Sequence, residues 1–112
     1  MPTSINYIEF YCKDIQAIKS FYSKAFDWKF TDYGPEYAAF NDGVLSGGFD
    51  QIADMPEAAN PLVVLYSDAL EACLEKVKAS GGTIVKEIYA FPGGRRFHFK
   101  DPSGNVLAVW SE

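Results

Sequence analysis

The chain repeats one pattern at half its length, and that repeat limits what it can fold into. Asp14-Ile15-Gln16-Ala17 follows the apolar run Ile8 to Cys12 and opens a helical pattern. Asp68-Ala69-Leu70-Glu71 follows a second run, Leu62 to Tyr66, and opens another. Each half then continues as strand-like segments ending in a turn signal, Asn41-Asp42-Gly43 in one and Asp101-Pro102-Ser103-Gly104-Asn105 in the other. Such repetition implies two related units, with a site expected where they meet.

Within each unit the order reads strand, helix, then three strands. In the first, Ser4 to Tyr11 alternates as a strand, Ile8, Phe10 and Cys12 on one face and Tyr7, Glu9 and Tyr11 on the other. Asp14 is placed to cap a helix over 15–26, with a stripe of Ile15, Ile18, Tyr22 and Ala25 widened by Phe21 and Phe26. Strands are predicted over 28–32, 36–41 and 44–51. In the second, a strand over 61–66 precedes a helix that begins at Asp68, carries Leu70, Cys73, Leu74 and Val77 on one face and stops at Gly81-Gly82. Strands over 83–91, 95–100 and 105–110 complete it. The fold class is therefore α+β: two tandem βαβββ modules forming curved mixed sheets around a cleft. At 112 residues a single domain is expected, with module one about 1–51, a linker about 52–60 around Pro56, and module two about 61–112.

A net charge of −5 without a basic block argues against nucleic acid and anionic membrane surfaces as partners. No apolar stretch reaches the roughly 20 residues that span a bilayer. The start of the chain lacks the pattern of a secretory signal, and Cys12 and Cys73 stand apart, so reduced thiols in a cytoplasmic protein are expected.

With helices on one side of each sheet, alternation sends Tyr7, Glu9, Tyr11, Arg96, His98, Ala108 and Trp110 to the other face. Glu9 between two tyrosines suits a general base, or else an ion pair with Arg95 or Arg96. Arg96 can clamp a carboxylate or phosphate, with His98 as proton shuttle or as a hydrogen-bonded structural histidine. Tyr7, Tyr11, Tyr37, Tyr66 and Trp110 can wall a flat ligand or simply pack. Gly47-Gly48 marks a bulge or a close backbone approach.

Three stretches in this order resemble the vicinal oxygen chelate superfamily, the glyoxalase/bleomycin-resistance/dioxygenase group. They are Ile5-Asn6-Tyr7-Ile8-Glu9-Phe10 through Trp28, Asp68-Ala69-Leu70-Glu71-Ala72 through Gly82, and Arg96-Phe97-His98-Phe99-Lys100-Asp101-Pro102-Ser103-Gly104-Asn105-Val106-Leu107. The resemblance implies paired βαβββ modules, assembly as a homodimer, and a cavity whose metal is held from the first and last strand of each module. Those positions fall on Tyr7, Ser46, Pro61 and Ala108. These residue types do not suit a first-row divalent ion, which wants imidazole, carboxylate or thiolate. No metal and no other cofactor is therefore expected; Glu9 and His98 together would supply only two ligands.

The functional expectation is a glyoxalase-like small-molecule-binding protein with its ligand in an aromatic-lined cleft between the modules. Tyr7, Tyr11, Ser46, Ala108 and Trp110 would contact that ligand, and Glu9, His98 and Arg96 would carry any chemistry. The alternatives are a lyase, isomerase or dioxygenase-type enzyme of the same superfamily, or a drug-sequestering protein.

Overall fold

A computed structural model describes residues 2–54 and 60–112. The linker expected over about 52–60 falls largely on residues 55–59, outside that description. The element order is β1 (Ser4–Cys12), α1 (Ile15–Phe26), β2 (Lys29–Asp32), β3 (Tyr37–Asn41), β4 (Ser46–Gln51), β5 (Leu62–Tyr66), α2 (Leu70–Ala79), β6 (Thr83–Phe91), β7 (Gly94–Lys100) and β8 (Val106–Ser111). This is βαβββ twice, in an α+β protein of mixed sheet.

One compact unit comprises Tyr7–Pro61. Its strands lie in the order β2-β3-β4-β1, with β1 parallel to β4 and the other pairs antiparallel. The register sets residues in rows across the strands. Lys29, Asn41, Ser46 and Tyr7 form one row, and Thr31, Ala39, Gly48 and Glu9 the next on the same face. The opposite face carries Phe40, Phe49, Phe10 and Cys12, which pack with Ile15, Ile18 and Tyr22 of α1. Burial above all, then the charges of Asp50 and Asp14, pushes the Cys12 thiol up from its ordinary value, so it is an inert packing group.

The apolar stripe of α1 is narrower than its sequence suggests. Ala25 is exposed, and Phe21 and Phe26 are 57% and 62% exposed. Trp28 explains the difference. It stacks on Tyr22 with ring centroids 4.5 Å apart and on Phe40 at 4.6 Å, so it covers the ground at the end of the helix that those side chains would otherwise fill. The strand expected to begin at Val44 begins at Ser46 instead. The Asp42 carboxylate accepts from the backbone N–H groups of Val44 and Leu45, which holds both residues in the turn.

The second unit comprises Leu62–Glu112 together with the start of β1. Its strands lie in the order β5-β8-β7-β6, with β5 parallel to β8. Leu70 and Leu74 of α2 pack on Phe97 and Val109, with Cys73, Val77 and Phe99 around them. Phe97 has no exposed surface. The Asp101 carboxylate accepts from Ser103 and Asn105, and Gly104 takes φ +92°, as the turn signal predicts.

The repeated aspartates do not do the same work. Asp14 is the N-cap of α1, its carboxylate accepting from Gln16 and Ala17. The second helix begins two residues later than expected, at Leu70, with Ala69 as its N-cap. Here Ser67 accepts from the Ala69 N–H. Among the described residues no helix is long and apolar enough to cross a membrane. Asp14→Ala should therefore cost about 1 kcal/mol of stability through the lost cap, read as a lower urea midpoint at unchanged slope; no loss would show that the cap contributes nothing.

Candidate functional site

In the first unit, the helix-free face is organised around one buried carboxylate. Glu9 is 4% exposed. A carboxylate so placed must be hydrogen-bonded to be tolerated. Its Oε1 accepts from the Tyr37 hydroxyl at 2.8 Å, and the Tyr37 and Tyr7 hydroxyls lie 2.6 Å apart. Since the proton of Tyr37 is given to Glu9, the proton of Tyr7 must be given to Tyr37. The result is a directed chain, Tyr7 to Tyr37 to Glu9. Burial first, then the Glu9 charge, holds the Tyr37 phenol far above its ordinary value, so it stays protonated and donating.

The two glycines of β4 make this geometry possible. A Cβ on Gly48 would stand 2.0 Å from the Tyr37 hydroxyl oxygen and 2.6 Å from that of Tyr7. A Cβ on Gly47, on the opposite face, would meet the Phe40 ring at 2.4 Å and the Ile8 carbonyl at 2.2 Å. The close approach expected from the sequence is thus real on both sides of the strand.

Beside this chain lies a pocket of about 320 Å³ lined by Tyr7, Lys29, Thr31, Tyr33, Ala39, Phe40, Asn41 and Ser46. Asn41 Nδ2 donates to Ser46 Oγ at 3.1 Å, while Asn41 Oδ1 accepts from the Gly43 N–H at 2.8 Å. Tyr11 shares the face of Tyr7 and Glu9, opposite Asp50 in the β1–β4 register.

In the second unit, direct pairing puts His98 opposite Ala108 and Arg96 opposite Trp110 across β7 and β8. Phe97 belongs to the face beneath α2, so alternation sends Arg96 and His98 to the helix-free face as expected. Arg95 faces the other way and pairs with Glu71 of α2, Nη1 to Oε2 2.5 Å. Tyr89, whose part the sequence did not reveal, joins the group. Arg96 Nε donates to the Tyr89 oxygen, and the Tyr89 hydroxyl lies 2.9 Å from His98 Nε2. The arrangement that uses every proton has Tyr89 donate to Nε2, leaving the imidazole proton on Nδ1. Lys86 Nζ sits 4.3 Å from the centre of the Tyr89 ring.

The remaining expected contacts divide. Trp110 meets Tyr66 edge-on with centroids 4.9 Å apart and donates from Nε1 to Asn6 Oδ1 at 3.1 Å. Ala108 has no exposed surface, so it shapes the face only through its neighbours. Glu9 is brought together with Tyr7 and Tyr37, and His98 with Tyr89 and Arg96.

The four positions at which the resemblance implies metal ligands carry two hydroxyl groups, on Tyr7 and Ser46, and two side chains without a donor atom, Pro61 and Ala108. The Tyr7 hydroxyl is engaged by Tyr37 and the Ser46 oxygen by Asn41. This donor set does not fit a first-row divalent ion. Among the described residues, no three His, Cys, Asp or Glu side chains are grouped so as to hold one.

Two expectations follow. Burial, reinforced by the Arg96 and Lys86 charges, holds His98 down at about 4. The unfolded chain, with an ordinary histidine near 6.5, takes up a proton that the folded chain refuses. Stability present above pH 6.5 should accordingly fall as the pH drops towards 4. His98 is the only histidine in the chain, so its imidazole resonances report the titration directly by NMR. A midpoint near 6.5 would show that the imidazole is not held as described. Second, Gly48→Ala should push the Tyr37 ring off Glu9 at a cost of about 1–3 kcal/mol, checked by chemical denaturation. An unchanged midpoint would mean that the tyrosines cross β4 less closely.

Comparison with known proteins follows the fold. The sequence model of the Glyoxalase/Bleomycin resistance protein/Dioxygenase superfamily matches residues 4–109. An uncharacterised protein of Mycolicibacterium smegmatis is 28% identical over 96 residues, covering 86% of this chain and 82% of its own. A superfamily member from Vibrio splendidus has a TM-score of 0.72 at 18% identity, covering 99% of this chain and all of that one. The Mn(II)-bound glyoxalase from Novosphingobium aromaticivorans has a TM-score of 0.70 at 24% identity, covering 97% of this chain and 38% of that one. These structures share the fold. Repeat, topology and sequence match agree, and the chain belongs to the Glyoxalase/Bleomycin resistance protein/Dioxygenase superfamily.

Proposed function

We propose that this protein binds a small organic molecule without using a metal at the positions its superfamily resemblance implies. The reading rests chiefly on the pocket beside Tyr7, whose wall is tied through Tyr37 to the buried Glu9. A concave site with a few oriented polar groups and aromatic walls is what small-molecule recognition requires. Tyr7 and Tyr33 supply apolar surface there, and Lys29, Asn41 and Ser46 supply polar contacts.

The chemistry of Tyr7 and Ser46 supports metal independence. Both hydroxyl oxygens take part in side-chain hydrogen bonds, and neither is a carboxylate or imidazole. In the second unit, Arg96, Tyr89 and His98 form a further polar group on a helix-free face, backed by Phe91 and Trp110. An Arg–Tyr–His arrangement suits recognition of polar groups on an organic ligand more than coordination of an ion.

The test is a thermal-shift survey of small aromatic alcohols, acids and amines on chelator-treated protein. A ligand at about tenfold excess over its Kd should raise the Tm by about 5 °C, with or without EDTA. Stabilisation that appears only after addition of Mn2+, Zn2+ or Fe2+ would overturn the proposal. So would a stoichiometric divalent ion found by elemental analysis of protein purified without chelator.

A further inference from the structure

Strand β6 is irregular on either side of one residue, Lys86. Ile84 pairs with Phe99 and Lys86 with His98, so β6 advances two residues while β7 advances one. From the Lys86–His98 pair to the Tyr89–Arg96 pair it advances three against two. Each shift carries one extra residue, and an extra residue turns the strand over. Ile84 and Ile88 pack against the core formed by Leu70, Leu74, Phe97 and Val109. Unbroken alternation would set Lys86 between them on that face. The two bulges instead give Lys86 to the helix-free face, directly across from His98, and then turn Ile88 back to the core and Tyr89 out to join Lys86.

Tyr89 touches every member of the group so assembled. Its hydroxyl lies 2.9 Å from His98 Nε2, Arg96 Nε donates to the same oxygen, and Lys86 Nζ stands 4.3 Å from the ring centre. Direct partners across an antiparallel pair have Cβ atoms about 5 Å apart, within reach of a lysine stem. Burial, then the Arg96 and Lys86 charges, holds the imidazole below its ordinary value, so both cations act at that point. On a chain of net charge −5 this is a local reversal of sign. Among the described residues Lys86 has no carboxylate partner; its contact is the Tyr89 ring. His98 also keeps a donor in hand. Tyr89 donates to Nε2, which leaves the imidazole proton on Nδ1. No buried side-chain nitrogen among the described residues lacks a partner, and Nδ1 has none, so Nδ1 is open to solvent.

We infer that this face of the second unit is an oxyanion site, where Lys86 and His98 hold the carboxylate or phosphate group of a small organic molecule. Lys86 supplies the charge and His98 Nδ1 a directed N–H, and a charge-assisted pair of this kind favours an ionised oxygen over a neutral one. Arg96 is asked only to fix the Tyr89 oxygen. The inference goes beyond the pocket beside Tyr7, since it uses residues of the other unit.

Three probes test it: benzoate, phenyl phosphate and the uncharged benzyl alcohol. Each is titrated at neutral pH and low ionic strength into 15N-labelled protein, while the His98 imidazole and the amides of β2 to β4, β6 and β7 are followed by NMR. His98 is the only histidine in the chain, so its signals need no separation from others. At least one anion should shift the imidazole and the β6 and β7 amides and bind about tenfold more tightly than the alcohol; the tighter of the two identifies the group recognised. Lys86→Met keeps a long apolar stem without the charge and should weaken that anion about tenfold, with the alcohol unchanged; Lys86→Arg should restore the binding. Lys86 is exposed, so these variants are expected to fold. Equal binding of anions and alcohol, an imidazole that no anion moves, or an anion affinity untouched by Lys86→Met would overturn the inference. Anion shifts confined to β2 to β4 would overturn it too, while leaving the pocket beside Tyr7 standing; that reading falls only with the thermal-shift survey or the metal analysis.

Discussion

A carboxylate withdrawn from water has to be given hydrogen bonds, and Glu9 receives one across the neighbouring strand. Tyr37 can reach it only because Gly48, on the strand between them, carries no side chain. Tyr7 closes over the same glycine. Three functional groups on β1 and β3 are thus held by an absence of atoms on β4. Gly47 does the corresponding service on the other face, where the Phe40 ring approaches the strand closely enough to join the aromatic cluster under α1. The glycine pair costs β-propensity, yet both faces of the sheet depend on it.

Strand alternation then divides the residues of β1, β3, β7 and β8 between two faces. In each unit one helix packs on one face of four strands, and apolar side chains at every second position meet it. Intervening positions on the helix-free face carry polar and aromatic groups, Tyr7 and Glu9 on β1 and Arg96 and His98 on β7. Arg95 and Arg96 show how sharp the division is. One residue apart, the first reaches Glu71 on the helix side, and the second reaches Tyr89 on the helix-free side. His98, two further on, inherits the face of Arg96 and is kept neutral by burial beside two cations.

Much of this was legible in the sequence because it depends on local periodicity. The two βαβββ modules, the helix faces of Leu70, Cys73, Leu74 and Val77, the cap at Asp14 and the left-handed glycine at Gly104 follow from spacing and turn chemistry. The face of Glu9, Arg96 and His98 follows from alternation. The failures share a cause as well. Phe21 and Phe26 look like core residues until Trp28 takes the place they would fill. Asp68 looks like a second Asp14 until the chain enters α2 two residues later. Tyr37 and Tyr89 are ordinary strand tyrosines until their hydroxyls are seen against Glu9 and His98.

The sequence by itself determined the repeat, the order of elements, the alternation of β1, β7 and β8 and the lack of nitrogen, sulfur or carboxylate donors at Tyr7, Ser46, Pro61 and Ala108. These are properties of residue type and of intervals shorter than one element. Only the tertiary structure decided which hydroxyl meets which carboxylate, that Tyr89 is the partner of Arg96 and His98, and which way the protons point along Tyr7, Tyr37 and Glu9. Those outcomes depend on register between neighbouring strands, 28 to 30 residues apart in sequence for Tyr37 and 7 to 9 for Tyr89, where a shift of one position would exchange the faces and remove the contacts.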